Sequence, residues 1–151
     1  MVGQQAENFR LKDEEGRVFD LYENLDKKIL LVFYPKDNSP VCTRQLSDYT
    51  KNKDKFLSEG IKIVGINPAG SGKHKSFCDK AGVDIPLLAD ENKAVCKKFG
   101  AVNFLGGTKR KLVLIGTDKK ILYEKDIFPI HYLNTAQIIE SLKGNHIILP
   151  K

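Results

Sequence analysis

Ile29-Leu30-Leu31-Val32-Phe33-Tyr34 is a six-residue run with no polar interruption. An unbroken apolar run of strand length fits only a strand covered on both faces. Such a strand needs a sheet with helices packed on each side. Ile61-Lys62-Ile63-Val64-Gly65-Ile66 and Leu112-Val113-Leu114-Ile115-Gly116 repeat the signal. Between them lie stretches of helical pattern. The first runs from about Val41 to Lys55, the second from Lys73 to Ala81 with Gly82 as its stop, the third from Asn92 to Phe99. Arg17–Leu21, Pro86–Asp90 and Ile121–Glu124 read as shorter extended segments, and Leu133–Lys143 as a final amphipathic helix. Strands alternating with helices predict an α/β fold with a central mixed sheet, in one domain spanning residues 1–151.

Immediately after the first apolar run comes Pro35-Lys36-Asp37-Asn38-Ser39-Pro40-Val41-Cys42. This places a cysteine at the start of a helix, where unpaired backbone N–H groups and the positive end of the helix dipole favour thiolate over thiol. The thiolate is the nucleophile, so these eight residues point to a reactive sulfur. The bland alternative is a cysteine serving as a small buried hydrophobe.

Three cysteines, Cys42, Cys78 and Cys96, are widely spaced and odd in number, with no C-x-x-C pair. That spacing argues against a metal site and against a structural disulfide framework. Neither a metal nor another cofactor is expected. The net charge of +6 comes from scattered lysines that alternate with acids, without interleaved aromatic residues, so no nucleic-acid partner is expected. No run approaches the roughly 20 apolar residues of a membrane span. The opening Met1–Glu7 lacks the basic and apolar regions of a signal peptide, so a cytoplasmic location is expected. Gly70-Ser71-Gly72-Lys73 follows a strand but is not a phosphate loop, because Asn67 and His74 stand where glycine and Ser/Thr are needed.

Phe33-Tyr34-Pro35-Lys36-Asp37-Asn38-Ser39-Pro40-Val41-Cys42-Thr43 closely resembles the active-site segment of peroxiredoxins. It is most similar to the bacterioferritin-comigratory-protein, or peroxiredoxin Q, subfamily, whose Pro-x-x-x-Thr/Ser-x-x-Cys pattern is met by Pro35, Ser39 and Cys42. The likeness continues through Ala6–Phe9, Lys73–Phe77, Ile85–Asp90 and Phe99–Val102. The resemblance implies a thioredoxin-like fold and a thiol peroxidase acting on hydrogen peroxide and organic hydroperoxides. By that resemblance Cys42 attacks the peroxide and becomes a sulfenic acid. Arg110 stands where the family carries a catalytic arginine, and would hold the thiolate and the peroxide oxygens. Ser39 would hydrogen-bond the sulfur or the peroxide, Pro35 would shield the site, and the backbone N–H groups of Val41 and Cys42 would stabilise developing charge. The plain alternatives are a helix cap for Ser39 and a solvated surface residue for Arg110, with Lys109 as the next basic candidate.

Many subfamily members place a resolving cysteine five residues after the reactive one, where this chain has Ser47. Others carry it in a segment resembling Ser76-Phe77-Cys78-Asp79-Lys80. Cys78 is therefore expected to close an intramolecular disulfide with Cys42, from a position near the start of its helix, and a thioredoxin-type reductant to reopen it. Cys96 is the competing thiol. Gln45 replaces an acidic residue often found in the family, and Val41 replaces a glycine. A one-cysteine peroxidase resolved by an external thiol and a redox sensor without turnover remain the other readings. A monomer or weak dimer is expected by resemblance.

Overall fold

The computed structural model describes residues 2–127 and 131–148. Its strands are β1 (Arg10–Lys12), β2 (Val18–Asp20), β3 (Lys28–Phe33), β4 (Ile61–Asn67), β5 (Leu87–Ala89), β6 (Arg110–Ile115) and β7 (Ile121–Ile127). Its α-helices are α1 (Pro40–Lys51), α2 (Lys53–Ser58), α3 (Ser71–Ala81), α4 (Ala94–Lys98) and α5 (Thr135–Gly144), and a 3-10 turn covers Tyr22–Asn24. The described strands form a seven-stranded sheet in the order β2-β1-β5-β4-β3-β6-β7. β3, β4 and β5 run parallel, while β6 and β7 return antiparallel on one side and β1 and β2 on the other. Among the described residues no helix is long and apolar enough to cross a membrane.

The apolar runs form the middle of this sheet because both of their faces are covered. Alternation along β3 sends Leu30, Val32 and Tyr34 to one core and Ile29, Leu31 and Phe33 to the other. The first core is closed by Leu46 and Tyr49 of α1, Phe56 of α2, Phe77 and Cys78 of α3, and Ile138 and Leu142 of α5. The second is closed by the amino-terminal segment around Phe9 and by Val95 and Cys96 of α4. Gly65 on β4 lies where this packing is close. A Cβ there would stand 2.7 Å from Leu87 Cδ2 and 3.1 Å from Tyr34 Cε1, so the close approach requires glycine.

Several boundaries differ from the sequence expectation for local reasons. The helix expected from Val41 to Lys55 is two helices, interrupted at Asn52, whose side chain donates to the Asp48 carbonyl. The helix expected from Lys73 begins at Ser71. Cys78 lies in its later half, with its carbonyl accepting from the N–H groups of Gly82 and Val83, and not near the helix start as expected. β1 carried no periodic signal, since three residues pairing with β2 and β5 suffice to define it.

Candidate active site

Ser39 is the N-cap of α1, with extended backbone angles and Pro40 at the first helical position, where a missing N–H costs nothing. The Ser39 hydroxyl oxygen accepts from the Cys42 N–H at 3.2 Å. This contact makes Cys42 the third helical residue and aims its side chain into the core. The preceding turn needs a left-handed residue, supplied by Asn38 at φ 66°, a conformation asparagine tolerates better than most. The burial of Cys42, Gln45, Leu46 and Tyr49 follows the i, i+3, i+4, i+7 stripe of one helix face.

Arg110 opens β6 and shares the face of Leu112 and Leu114, the face that α1 covers. It is among the largest fully buried side chains, at 2% exposure. One guanidinium nitrogen, Nη2, donates to the Cys42 sulfur at 3.3 Å, and the other, Nη1, donates to the Gln45 carbonyl oxygen. The planar fork serves the two acceptors from two separate nitrogens, whereas a lysine would have to reach both from one atom. Strand parity separates Arg110 from its basic neighbours: Lys111 faces Glu124 and Asp126, and Lys109 pairs with Asp126 at 3.8 Å. Gln45 is held in turn, its amide donating to the Tyr49 hydroxyl at 3.2 Å while that hydroxyl donates to the Leu133 carbonyl at 2.6 Å. The Gln45–Tyr49–Leu133 chain joins α1 to the segment before α5 and was not visible in the sequence, because its members are 84 residues apart.

Cys42 itself is fully buried. Pro35 and Arg110 belong to the wall of a cleft of about 730 Å³, together with Lys36, Asn103, Thr108 and Lys109. Within that wall Arg110 is the residue that contacts the Cys42 sulfur. Of the backbone donors expected to serve the reaction, the Cys42 N–H is already given to Ser39. The Ser39 oxygen is the acceptor in that bond, which leaves its own hydroxyl proton available for a second partner.

The other two thiols lie on opposite sides of the sheet. Cys78 shares the Cys42 core and reaches a second cleft lined by Glu14, Glu15, Arg17, Lys75 and Asp79. Burial pushes its thiol up to about 12, with Glu14, Asp37 and Asp79 adding to the rise and Lys75 opposing it. Tyr34 stands close to both thiols: burial first, then Asp37, Cys42 and Cys78, raise its hydroxyl well above the ordinary value. Cys96 lies in the other core, at 0% exposure. Its N–H and that of Val95 donate to the Asp90 carboxylate at 2.7 and 3.2 Å. Burial and Asp90 both raise the Cys96 thiol. Among the described residues no group of three or more His, Cys, Asp or Glu side chains is placed to hold a metal ion.

Residues 2–124 match the AhpC/TSA family. A peroxiredoxin bcp of Helicobacter pylori is 38% identical over 93% of this chain and 97% of its own length. A chloroplastic peroxiredoxin Q of Sedum lineare is 33% identical over 89% of this chain and 75% of its own. Among solved structures, the peroxidoxin BcpB of Mycobacterium tuberculosis superposes with a TM-score of 0.83 at 25% identity, covering 99% of this chain and 98% of that one. The sheet and its helices accordingly form a thioredoxin-like fold.

Proposed function

This chain belongs to the AhpC/TSA family of peroxiredoxins and is a thiol-dependent peroxidase, and from that premise we propose that Cys42 is its peroxide-reactive sulfur and Cys78 its resolving thiol. The observation that carries the first assignment is the Arg110 fork, with one donor on the Cys42 sulfur and the other on Gln45. A thiolate in this position attacks the nearer peroxide oxygen as the O–O bond breaks. The departing oxygen takes a proton and leaves as water or an alcohol, and the sulfur becomes a sulfenic acid. Arg110 donates to sulfur in the ground state and is placed to donate to the peroxide oxygens as charge moves onto them. The Ser39 hydroxyl serves as a second donor at the sulfur, and Pro35 narrows the approach.

The second assignment is supported by the sidedness of the sheet. Cys78 and Cys42 line the same core, whereas a Cys42–Cys96 bond would have to cross β3 and its neighbours. Sulfenic acid and the Cys78 thiol condense to a disulfide with loss of water. Two thiols of a thioredoxin-type reductant then restore Cys42 and Cys78 and leave as their own disulfide. Burial holds the Cys78 thiol well above its ordinary value inside the fold, which disfavours its thiolate there.

A peroxide-consumption assay with thioredoxin and its reductase tests the scheme. Cys42→Ser abolishes all reaction. Cys78→Ser retains one turnover and loses the rest. Full turnover of Cys78→Ser with thioredoxin would instead assign the resolving thiol to an external molecule.

A further inference from the structure

Behind the reactive cysteine lies a buried polar cluster that the peroxide chemistry does not use. Asp37, His74, Asn67 and Tyr34 are each 1% exposed or less. One Asp37 oxygen accepts from the Tyr34 hydroxyl at 2.6 Å and from the Asn67 amide at 3.4 Å. The other stands 2.7 Å from His74 Nδ1, and His74 Nε2 stands 3.2 Å from the Leu88 carbonyl oxygen. A carbonyl oxygen can only accept, so Nε2 carries a proton, and a second proton lies between Nδ1 and the carboxyl oxygen. Whichever of those two atoms holds it, the pair is neutral as a whole. Its separation inside the fold would leave unpaired polar groups in the core, a cost that disfavours parting while both stay buried.

The place of this pair in the chain gives it a role. Asp37 lies in the loop between β3 and α1, two residues before the N-cap that fixes Cys42. His74 lies in the first turn of α3, one turn before Cys78 and on the same buried face. The pair thus clamps the loop that positions the reactive sulfur to the helix that carries its partner. Both cysteines are free thiols on regular helices. A disulfide brings two sulfurs to about 2.05 Å and demands a narrow range of backbone separations, and a clamp between the two segments restrains how far they can shift as the bond closes.

We propose that the Asp37–His74 pair is a latch that positions Cys42 for peroxide and must part before Cys78 can reach it. This rests on Cys78 being the resolving thiol. The latch makes His74 and Asp37 positioning residues, acting through the fold of the loop and of α3. While it is closed, Cys42 keeps Ser39 and Arg110 and captures peroxide. When it opens, sulfenic acid and thiol condense with loss of water. A sulfenic acid waiting behind a closed latch is instead exposed to a second peroxide, which transfers an oxygen, leaves as water or alcohol, and yields the sulfinic acid.

Two measurements test the latch. In the reduced wild-type protein, proton NMR should detect the His74 Nδ1–H in a short hydrogen bond as a downfield signal. It should vanish in the Cys42–Cys78 disulfide form and return on reduction. Second, Asp37→Asn and His74→Gln, checked for native circular dichroism, should raise the disulfide-to-sulfinate ratio at high peroxide about tenfold while slowing the first reaction with peroxide, a tenfold change corresponding to about 1.4 kcal/mol. A pair with a merely structural role would lower thermal stability in these variants but leave both the ratio and the oxidation-linked loss of signal unaffected. A signal that persists in the disulfide form, or an unchanged ratio in folded variants, overturns the latch while leaving the assignment of Cys78 intact. Absence of a Cys42–Cys78 disulfide in the wild-type protein overturns both.

Discussion

Replacing Arg110 by methionine removes the donor on the Cys42 sulfur while keeping most of the buried volume. The guanidinium nitrogen lies 3.3 Å from the sulfur. At the effective dielectric of about 20 that suits protein sites, a full charge pair at that separation is worth about 5 kcal/mol. Burying the guanidinium offsets part of this, and a charge-assisted hydrogen bond contributes about 1.5–3 kcal/mol net. Taking the upper end, about 3 kcal/mol, the second-order rate constant with peroxide falls roughly 10²-fold in Arg110→Met. Arg110→Lys restores the charge but not the fork, and recovers part of that loss. Stopped-flow reaction with hydrogen peroxide gives the rate constant, and alkylation of Cys42 by iodoacetamide supplies the control. Alkylation reports only thiolate reactivity, so a larger loss with peroxide than with iodoacetamide isolates the contribution of Arg110 to the peroxide oxygens. An Arg110→Met protein that is folded and reacts with peroxide within threefold of wild type would refute the reasoning.

Ser39→Ala removes the acceptor of the Cys42 N–H and should cost about 1 kcal/mol of stability through the lost cap, together with a slower peroxide reaction; thermal melts and stopped flow read the two effects. Cys96→Ala should retain thioredoxin-linked turnover, because Cys96 lies across the sheet from Cys42, and activity as low as that of Cys78→Ser would contradict this. Thermal stability should fall as pH rises from about 8.5 towards 10. Cys78 is held at about 12 in the fold, so the unfolded chain, whose thiol has the ordinary value, releases its proton first and is favoured. Cys78→Ala should flatten that decline, with the melting temperature followed across the pH series.

The helix start that carries Cys42 was legible because its signals are packed into eight consecutive residues. A serine three positions before a cysteine, after a proline and a buried strand, fixes a helix start, and the structure places Ser39 and Cys42 in that relation. Arg110 needed the family resemblance, since 68 positions separate it from Cys42 and only strand parity turns it towards α1. Cys78 illustrates what local pattern misses. Gly70 and Gly72 suggested a loop running up to Lys73, yet the helix forms from Ser71. The two-residue extension puts Cys78 eighth rather than sixth from the helix start and leaves its distance from the end at Ala81 unchanged. The Asp37 and His74 side chains gave no signal of partnership, because a pairing across 37 positions depends on how α3 settles on β5.

The most direct test of the account is the peptide mass map of wild-type protein after one equivalent of hydrogen peroxide, taken before any reductant is added. The account predicts a single new species in which Cys42 and Cys78 are linked and Cys96 remains a free thiol. An unmodified Cys42 would contradict it at its centre.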